Sequence, residues 1–198
     1  MARERWKEKW KAVRSLSSGG QGYTVLVESL SEPTQMGVLK TLRRADSPQA
    51  RARMNKEVAA LESLAAEKLK VPRVLDKNTE MHADPSMPLY FVMEFVEGQT
   101  LDKEVAARGR LDLDKAGAMT LALAETVSAA HGQGVLHRDL KPDNIIVRDF
   151  DADDLVIVDY GLSFNQADDD NLTRDSEQLG SPFLMLPEVR VPGGDRRD

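Results

Sequence analysis

The hydrophobic pattern of the sequence changes once, near Glu97-Gly98, and this change restricts the fold more than any other feature. Before it, short runs of β-branched and aliphatic residues are separated by polar stretches, which is typical of antiparallel strands. After it, apolar residues recur at helical spacing. The pattern predicts an α+β fold with a mostly β first lobe and a mainly helical second lobe.

Two strands and one helix are predicted early in the first lobe. The strands cover 23–30 and 37–42, and the polar stretch between them indicates a hairpin. Ser47-Pro48 then supplies an N-cap and a first-turn proline. Behind this cap, apolar residues at helical spacing predict a helix over about 48–68; they are Met54, Val58, Leu61 and Leu64. The segment 6–13 fits either a short helix or the approach to a first strand.

Further elements follow on both sides of the boundary. Two strands are predicted between Pro72 and Met93, with a long polar turn between them. Thr100 is expected to cap a short helix that ends at Gly109. A longer helix over 112–131 is predicted from an apolar face, which comprises Leu113, Met119, Leu123 and Val127. The runs 144–147 and 155–158 indicate a small hairpin.

Composition excludes several functional classes. The chain has 198 residues and no cysteine, which excludes disulfides and thiol chemistry. The net charge of −6 argues against nucleic-acid binding, and we interpret the basic cluster in 40–56 as solvated surface. No apolar run approaches the roughly 18 residues that cross a bilayer. We therefore expect a cytoplasmic protein with no membrane or nucleic-acid partner.

The string His137-Arg138-Asp139-Leu140-Lys141-Pro142-Asp143-Asn144 lies between a predicted helix and a short strand. It resembles the catalytic loop of the eukaryotic-type (Hanks-type) Ser/Thr protein kinases, including their bacterial members. The resemblance implies that Asp139 orients the substrate hydroxyl, that Lys141 contacts the γ-phosphate and that Asn144 holds magnesium. It also implies a bilobal kinase-like fold, with an extension over 1–15, an N-lobe over 16–97 and an incomplete C-lobe over 98–198.

A second acidic motif follows the catalytic string. Val158-Asp159-Tyr160-Gly161 is similar to the Asp-Phe-Gly metal site of the same family, with tyrosine in place of phenylalanine. Magnesium prefers oxygen ligands and takes one or two protein groups beside phosphate oxygens. The resemblance therefore assigns Mg²⁺ to Asn144 and Asp159, and ATP as the nucleotide. Alone, the tripeptide would be a turn.

The nucleotide site of the first lobe is implied by three features. Ser17-Ser18-Gly19-Gly20-Gln21-Gly22 aligns with the glycine-rich phosphate loop, with Ser17 at the first glycine position. Lys40 ends a strand and resembles the lysine that contacts the α- and β-phosphates, although such lysines are usually surface residues. Glu57 lies on the inner stripe of the predicted helix, where an unpaired carboxylate is costly, so we expect a Lys40–Glu57 pair. The alternative for Glu57 is a solvated boundary residue.

The adenine pocket is implied by the run 89–98, which resembles the strand and hinge between the two lobes. Met93 corresponds to the gatekeeper, and the backbones of Glu94 and Val96 would bind the base. The remaining expected pocket residues are Thr24, Val38 and Ile146. Thr100 falls near the ribose position.

The segment 180–188 resembles the end of the kinase activation loop, with Ser181 on the substrate side. Thr173 and Ser176 are candidate phosphosites in the loop before it. Ten residues follow Glu188, where the family has several more helices that cover the second lobe and bind protein substrates. We therefore expect exposed apolar surface and self-association through the partial C-lobe.

Two functions follow from the resemblance. The first is ATP- and Mg²⁺-dependent transfer of the γ-phosphate to Ser or Thr hydroxyls of a protein substrate that the sequence does not identify, including autophosphorylation. The second is a truncated, catalytically impaired ATP-binding or interaction module.

Overall fold

A computed structural model of the chain describes residues 5–18, 22–42, 47–151, 153–160 and 164–165. The chain divides into two compact units. The first comprises Met1–Glu62 and Pro72–Phe95, and the second comprises Ser63–Val71 and Val96–Asp198. The α+β architecture predicted from the sequence is confirmed, with a β-rich first unit that carries one helix and a largely helical second unit.

One five-stranded antiparallel sheet forms the first unit, in the order β1-β2-β3-β5-β4. The predicted hairpin is present as β2 and β3, and the two strands expected between Pro72 and Met93 are β4 and β5. The bounds are Trp10–Ser18 for β1, Gly22–Ser29 for β2, Met36–Leu42 for β3, Val74–Lys77 for β4 and Tyr90–Glu94 for β5. The segment 6–13 contains both of its predicted forms, because a 3-10 turn at Arg5–Glu8 leads into β1.

The alternation of side chains along the strands gives the sheet two different faces. On one face Leu39 pairs in register with Val92 and joins a buried cluster with Trp10, Val27 and Tyr90. Gly37 belongs to this face, and a Cβ there would lie 2.5 Å from Val92 Cγ1 and 3.4 Å from the Trp10 ring. A side chain at position 37 would therefore displace Val92, whereas glycine leaves room for Val92 and for the indole beside it. The opposite face carries Lys40.

The carboxylate of Asp76 accepts hydrogen bonds at the edge of the Leu39 cluster. Asp76 accepts hydrogen bonds from Lys9 Nζ at 2.8 Å, from the Trp10 indole nitrogen at 3.1 Å and from the Tyr90 hydroxyl at 3.0 Å. Trp10 therefore belongs to the sheet core, although it lies six residues before the predicted start of the N-lobe at residue 16.

The helix of the first unit is α1, Pro48–Ala66. The Ser47 hydroxyl accepts a hydrogen bond from the amide of Ala50 at 3.2 Å, which is the N-cap predicted from Ser47-Pro48. The buried stripe of the helix contains the four predicted apolar residues and two charged ones, Arg51 and Glu57.

Within its described residues, the second unit contains the helices α2 at Leu101–Arg108 and α3 at Leu113–Gly132. Asp112 caps α3 by accepting from the amide of Lys115 at 2.7 Å. Thr100 precedes α2 as predicted, but its hydroxyl makes no capping hydrogen bond. The short strands are β6 (Gln99–Thr100), β7 (Val135–Leu136), β8 (Ile145–Asp149), β9 (Asp154–Ile157) and β10 (Phe164–Asn165).

The predicted hairpin of the second unit is confirmed as β8 and β9, with β6 paired to the other edge of β8. Its apolar side packs on α3 through Met119, Ile145, Val147 and Leu155. The expectation that Leu113 shares the face of Met119 is wrong, because Leu113 is 91% exposed. Six residues separate the two, which turns their side chains about 120° apart on a helix of 3.6 residues per turn. None of the described helices is long and apolar enough to cross a membrane.

Candidate active site

The Lys40–Glu57 pair expected from the sequence is formed. Lys40 Nζ lies 2.5 Å from Glu57 Oε1, and the two side chains are 20% and 6% exposed. Lys40 projects from β3 and Glu57 from the buried stripe of α1, so the pair joins the helix to the sheet. Lys40 Nζ also lies 5.9 Å from the centre of the Phe91 ring, its cross-strand neighbour. The Lys40 ammonium thus neutralises a buried carboxylate.

Other predicted nucleotide residues share the sheet face of Lys40. Val38 is paired in register with Met93, and both side chains are buried. Thr24 lies opposite Lys40 on β2, and Gly22 begins that strand opposite Leu42. This face therefore presents an apolar patch beside a cation, which suits a purine attached to phosphates.

Glu94, the last residue of β5 and part of the predicted hinge, already has a hydrogen bond at its backbone amide. The amide of Glu94 donates to the Arg73 carbonyl at 2.8 Å, and its carboxylate accepts from Arg73 Nε at 3.1 Å. Any contact between Glu94 and a base would therefore use its carbonyl oxygen. Val96 follows in the second unit and is half-buried.

The catalytic string of the second unit folds around the carboxylate of Asp139. Lys141 Nζ donates to Asp139 Oδ2 at 2.7 Å, and Asn144 Nδ2 donates to the same oxygen at 3.2 Å and to the Asp139 carbonyl at 2.8 Å. Asn144 is buried in a short 3-10 turn that Pro142 begins. The three catalytic-loop residues among those that the resemblance assigned to catalysis and metal binding therefore lie together.

His137 connects this loop to the backbone at Val158, a role that was not predicted from the sequence. Its Nδ1 accepts from the amide of Asp139 at 3.2 Å, so the ring proton belongs on Nε2, which lies 3.1 Å from the Val158 carbonyl oxygen. The ring also meets Tyr160 edge to face, with centroids 4.7 Å apart. Two features of the sequence could have indicated a buried His137: it begins the catalytic string, and it follows the apolar pair Val135-Leu136.

Val158 links the catalytic loop to the candidate metal ligand Asp159. Its amide donates to the Asn144 carbonyl at 2.9 Å, while its carbonyl faces His137. The chain then turns sharply, since Asp159 has φ of 67°, a left-handed conformation that is uncommon outside glycine. Ile146, the other predicted pocket residue of this unit, lies on β8 between Thr100 and Val156.

Several predicted residues lie outside the described part of the chain. They are Gly19, Gly20, Thr173, Ser176, Ser181 and Glu188. Their roles stay predictions.

Comparisons with known proteins identify the family of the chain. A family model described as "Protein kinase domain" matches residues 10–194. Serine/threonine-protein kinase PknA of Nostoc is 31% identical over 162 residues, which cover 77% of this chain and 27% of the relative. Calcium-dependent protein kinase 8 of rice is 38% identical over 102 residues, covering 51% of this chain and 18% of the relative. The chain belongs to the protein kinase domain family.

A solved structure supports the fold. Rad53 residues 1–466 in complex with AMP-PNP superposes with a TM-score of 0.64 at 22% identity, over 79% of this chain and 39% of that one. The present chain spans less than a third of the length of the PknA and calcium-dependent relatives.

Proposed function

We propose that this chain is a protein serine/threonine kinase that binds ATP with Mg²⁺ and transfers the γ-phosphoryl group to a Ser or Thr hydroxyl. The observation that carries the proposal is the Asp139 carboxylate, held by Lys141 and Asn144 in the order of the family motif. The curated relatives named above are protein kinases by name, which supports the same reaction. The substrate protein stays open, and the cytoplasmic location stays a prediction.

The reaction needs orientation and charge neutralisation more than covalent help. In the proposed step the substrate hydroxyl oxygen forms a bond to the γ-phosphorus while the bond from that phosphorus to the bridging oxygen of ADP breaks. Asp139 accepts the hydroxyl proton, and Lys141 offsets the negative charge of the phosphoryl oxygens. The 2.7 Å contact between Lys141 Nζ and Asp139 Oδ2 supports the assignment of both roles to one site.

In the first unit, Lys40 would bind the α- and β-phosphates while Glu57 fixes its ammonium. The glycine loop, with Gly19, Gly20 and Gly22, would approach the phosphates through its backbone, because glycine leaves the amides accessible. Thr24, Val38, Met93 and the Glu94 carbonyl would contact the adenine. For Val96 and Ile146 the same role stays a prediction from the resemblance.

The residues present fit a magnesium ion. Both described hydrogen bonds of the Asn144 side chain use its nitrogen, which fixes the amide with its oxygen on the other side. The Val158 amide ties Asn144 to the strand end that carries Asp159. An amide oxygen and a carboxylate are the hard ligands that magnesium takes, and the ion would supply positive charge beside the phosphates.

Transfer of label from γ-³²P-ATP to a mixture of Ser/Thr peptides, or to the chain itself, tests the proposal. We expect incorporation by the wild-type chain and a loss of at least 100-fold in Asp139→Asn, which keeps the size of the side chain but not the base. Equal incorporation by the two proteins would contradict it. Magnesium-dependent ATP binding without any transfer would instead support the ATP-binding module, and Lys40→Met then tests whether binding uses the predicted site.

A further inference from the structure

The loop between β4 and β5, residues 78–88, surrounds the side chain of Arg51 from α1. Arg51 Nε donates to the His82 carbonyl at 2.8 Å, and Nη1 donates to the Met87 carbonyl at 2.9 Å. Nη2 donates to the carbonyls of Met81 at 3.0 Å and Asp84 at 2.5 Å. The Arg51 residue is 2% exposed, so one buried guanidinium binds four carbonyl groups of a single loop.

The loop is closed at its base independently of Arg51. Asn78 exchanges hydrogen bonds with Tyr90, through its amide at 3.1 Å and its Oδ1 at 2.8 Å, and its Nδ2 donates to the Pro88 carbonyl at 2.9 Å. At the tip, the hydroxyl and amide of Ser86 hold the Asp84 carboxylate and lower its pKa. The 78–88 loop is therefore anchored to β5 and presents its carbonyls in a fixed arrangement.

Arg51 differs in kind from the other contacts of the α1 stripe. Met54, Val58 and Leu61 bury apolar surface, and apolar contact is non-directional, so it permits a helix to rotate or slide. A planar guanidinium with fixed donors is directional and tolerates little displacement. Arg51 precedes Glu57 by six residues, about 9 Å along a rigid helix. Fixing Arg51 therefore restricts where Glu57 can lie.

We propose that Arg51 is a positioning residue, whose hold on the 78–88 loop keeps α1 where the Glu57 carboxylate reaches Lys40. The hydrogen bonds of Arg51 keep α1 in the position where Glu57 Oε1 lies 2.5 Å from Lys40 Nζ. The proposal rests on the proposed function only in that the pair serves a nucleotide; the placement of the helix can be measured without catalysis.

The test is a double-mutant cycle of Lys40→Met and Glu57→Gln, measured by chemical denaturation of the full chain and repeated in an Arg51→Gln background. We expect the coupling between Lys40 and Glu57, expressed as a ratio of unfolding equilibrium constants, to be at least three-fold weaker in that background. Coupling of the same size in both backgrounds would overturn the proposal, as would no coupling in the wild type.

Two controls keep the test independent of general destabilisation. Val27→Ala removes packing from the sheet face opposite Lys40 and should leave the coupling unchanged. If Arg51→Gln does not fold, Arg51→Lys replaces it, and the single ammonium should retain the charge but weaken the coupling. A kinase assay adds a readout: if the chain is active, Arg51→Lys should lower kcat more than it changes KM for the peptide. Failure of phosphotransfer in the wild type leaves the cycle interpretable.

Discussion

The hydroxyl of Tyr90 is the best example of a single group whose chemistry follows from its neighbours. Burial, and then the adjacent Asp76 carboxylate, raise the pKa of this phenol above its ordinary value of 10.0. The anion would lie in an apolar cluster beside another negative charge. The hydroxyl therefore stays protonated in the folded protein at pH values where an unfolded tyrosine ionises.

This shift predicts how stability depends on alkaline pH. Above about pH 10 the unfolded chain loses the Tyr90 proton while the folded chain keeps it, so the unfolded state binds fewer protons and the free energy of unfolding falls as pH rises. Tyr90→Phe should flatten that fall. At pH 7 it should cost about 1 kcal/mol, because Asp76 loses a hydrogen bond.

Urea denaturation at pH 7 and at intervals from pH 9.5 to 11 checks this expectation. Tyr23→Phe is the matched control, because Tyr23 is 47% exposed, and it should keep the wild-type pH dependence. An unchanged alkaline slope in Tyr90→Phe would show that other groups cause it.

Two residues of α1, Glu57 and Arg51, show what could and what could not be predicted from the sequence. Glu57 could be predicted as a partner of Lys40, because an unpaired carboxylate on the inner stripe of the helix is costly and the kinase resemblance supplies the lysine. Arg51 was not predicted, since it stands in a polar run, Pro48-Gln49-Ala50-Arg51-Ala52-Arg53, that is typical of a solvated helix start. Its spacing of three residues from Met54 placed it on the buried stripe. The acceptors, however, are backbone carbonyls about thirty residues away, which no side-chain pattern reveals.

At the scale of elements, the short strand β6 depends on the backbone of Gly98. This glycine has φ of 137°, and a Cβ there would overlap the Val147 carbonyl oxygen and lie 2.9 Å from Ile146 Cγ2. The close approach allows β6 to pair with β8, next to the predicted adenine residue Ile146.

Alanine substitutions at three glycines of the second unit distinguish the cost of a strained backbone from the cost of a steric clash. Gly98→Ala should destabilise the chain by about 2–3 kcal/mol, because it adds a clash to a conformation that side chains disfavour. Gly109 has φ of 81°, but a Cβ there would meet open space. Gly109→Ala should therefore lower the free energy of unfolding by about 1 kcal/mol. Gly117→Ala lies inside α3 in open space, and should stabilise by roughly 0.5–1 kcal/mol.

Denaturation followed by far-UV circular dichroism gives the three values. The order matters more than the sizes: a Gly98→Ala variant no less stable than Gly109→Ala would contradict the assigned role of the Val147 carbonyl. The existence of α2, α3 and the β8–β9 hairpin could be predicted from hydrophobic period and turn residues. The pairing of β6 with β8 could not, because a two-residue strand carries no period.

At the scale of the whole chain, α3 bears on the predicted self-association. Leu113 and Leu121 are 91% and 61% exposed among the described residues, and eight residues bring them close to one side of the helix. Apolar side chains exposed on one helix side favour association.

Sedimentation velocity over a range of concentrations measures the effect. We expect association of the wild-type chain and a weaker tendency in the double variant Leu113→Gln/Leu121→Gln. Val13→Gln is the control, since Val13 is also exposed but lies on β1 in the other unit. A wild-type chain that stays monomeric at all concentrations would contradict the prediction.

The Trp10 indole, packed over Gly37 and bonded to Asp76, has a spectroscopic consequence. The chain has two tryptophans, Trp6 and Trp10, and both belong to the first unit. Intrinsic fluorescence excited at the indole band therefore reports the melting of that unit alone, while circular dichroism follows the helices of both. Coincident transitions by the two optical signals would mean that the units unfold cooperatively. Separate transitions would assign an independent midpoint to each.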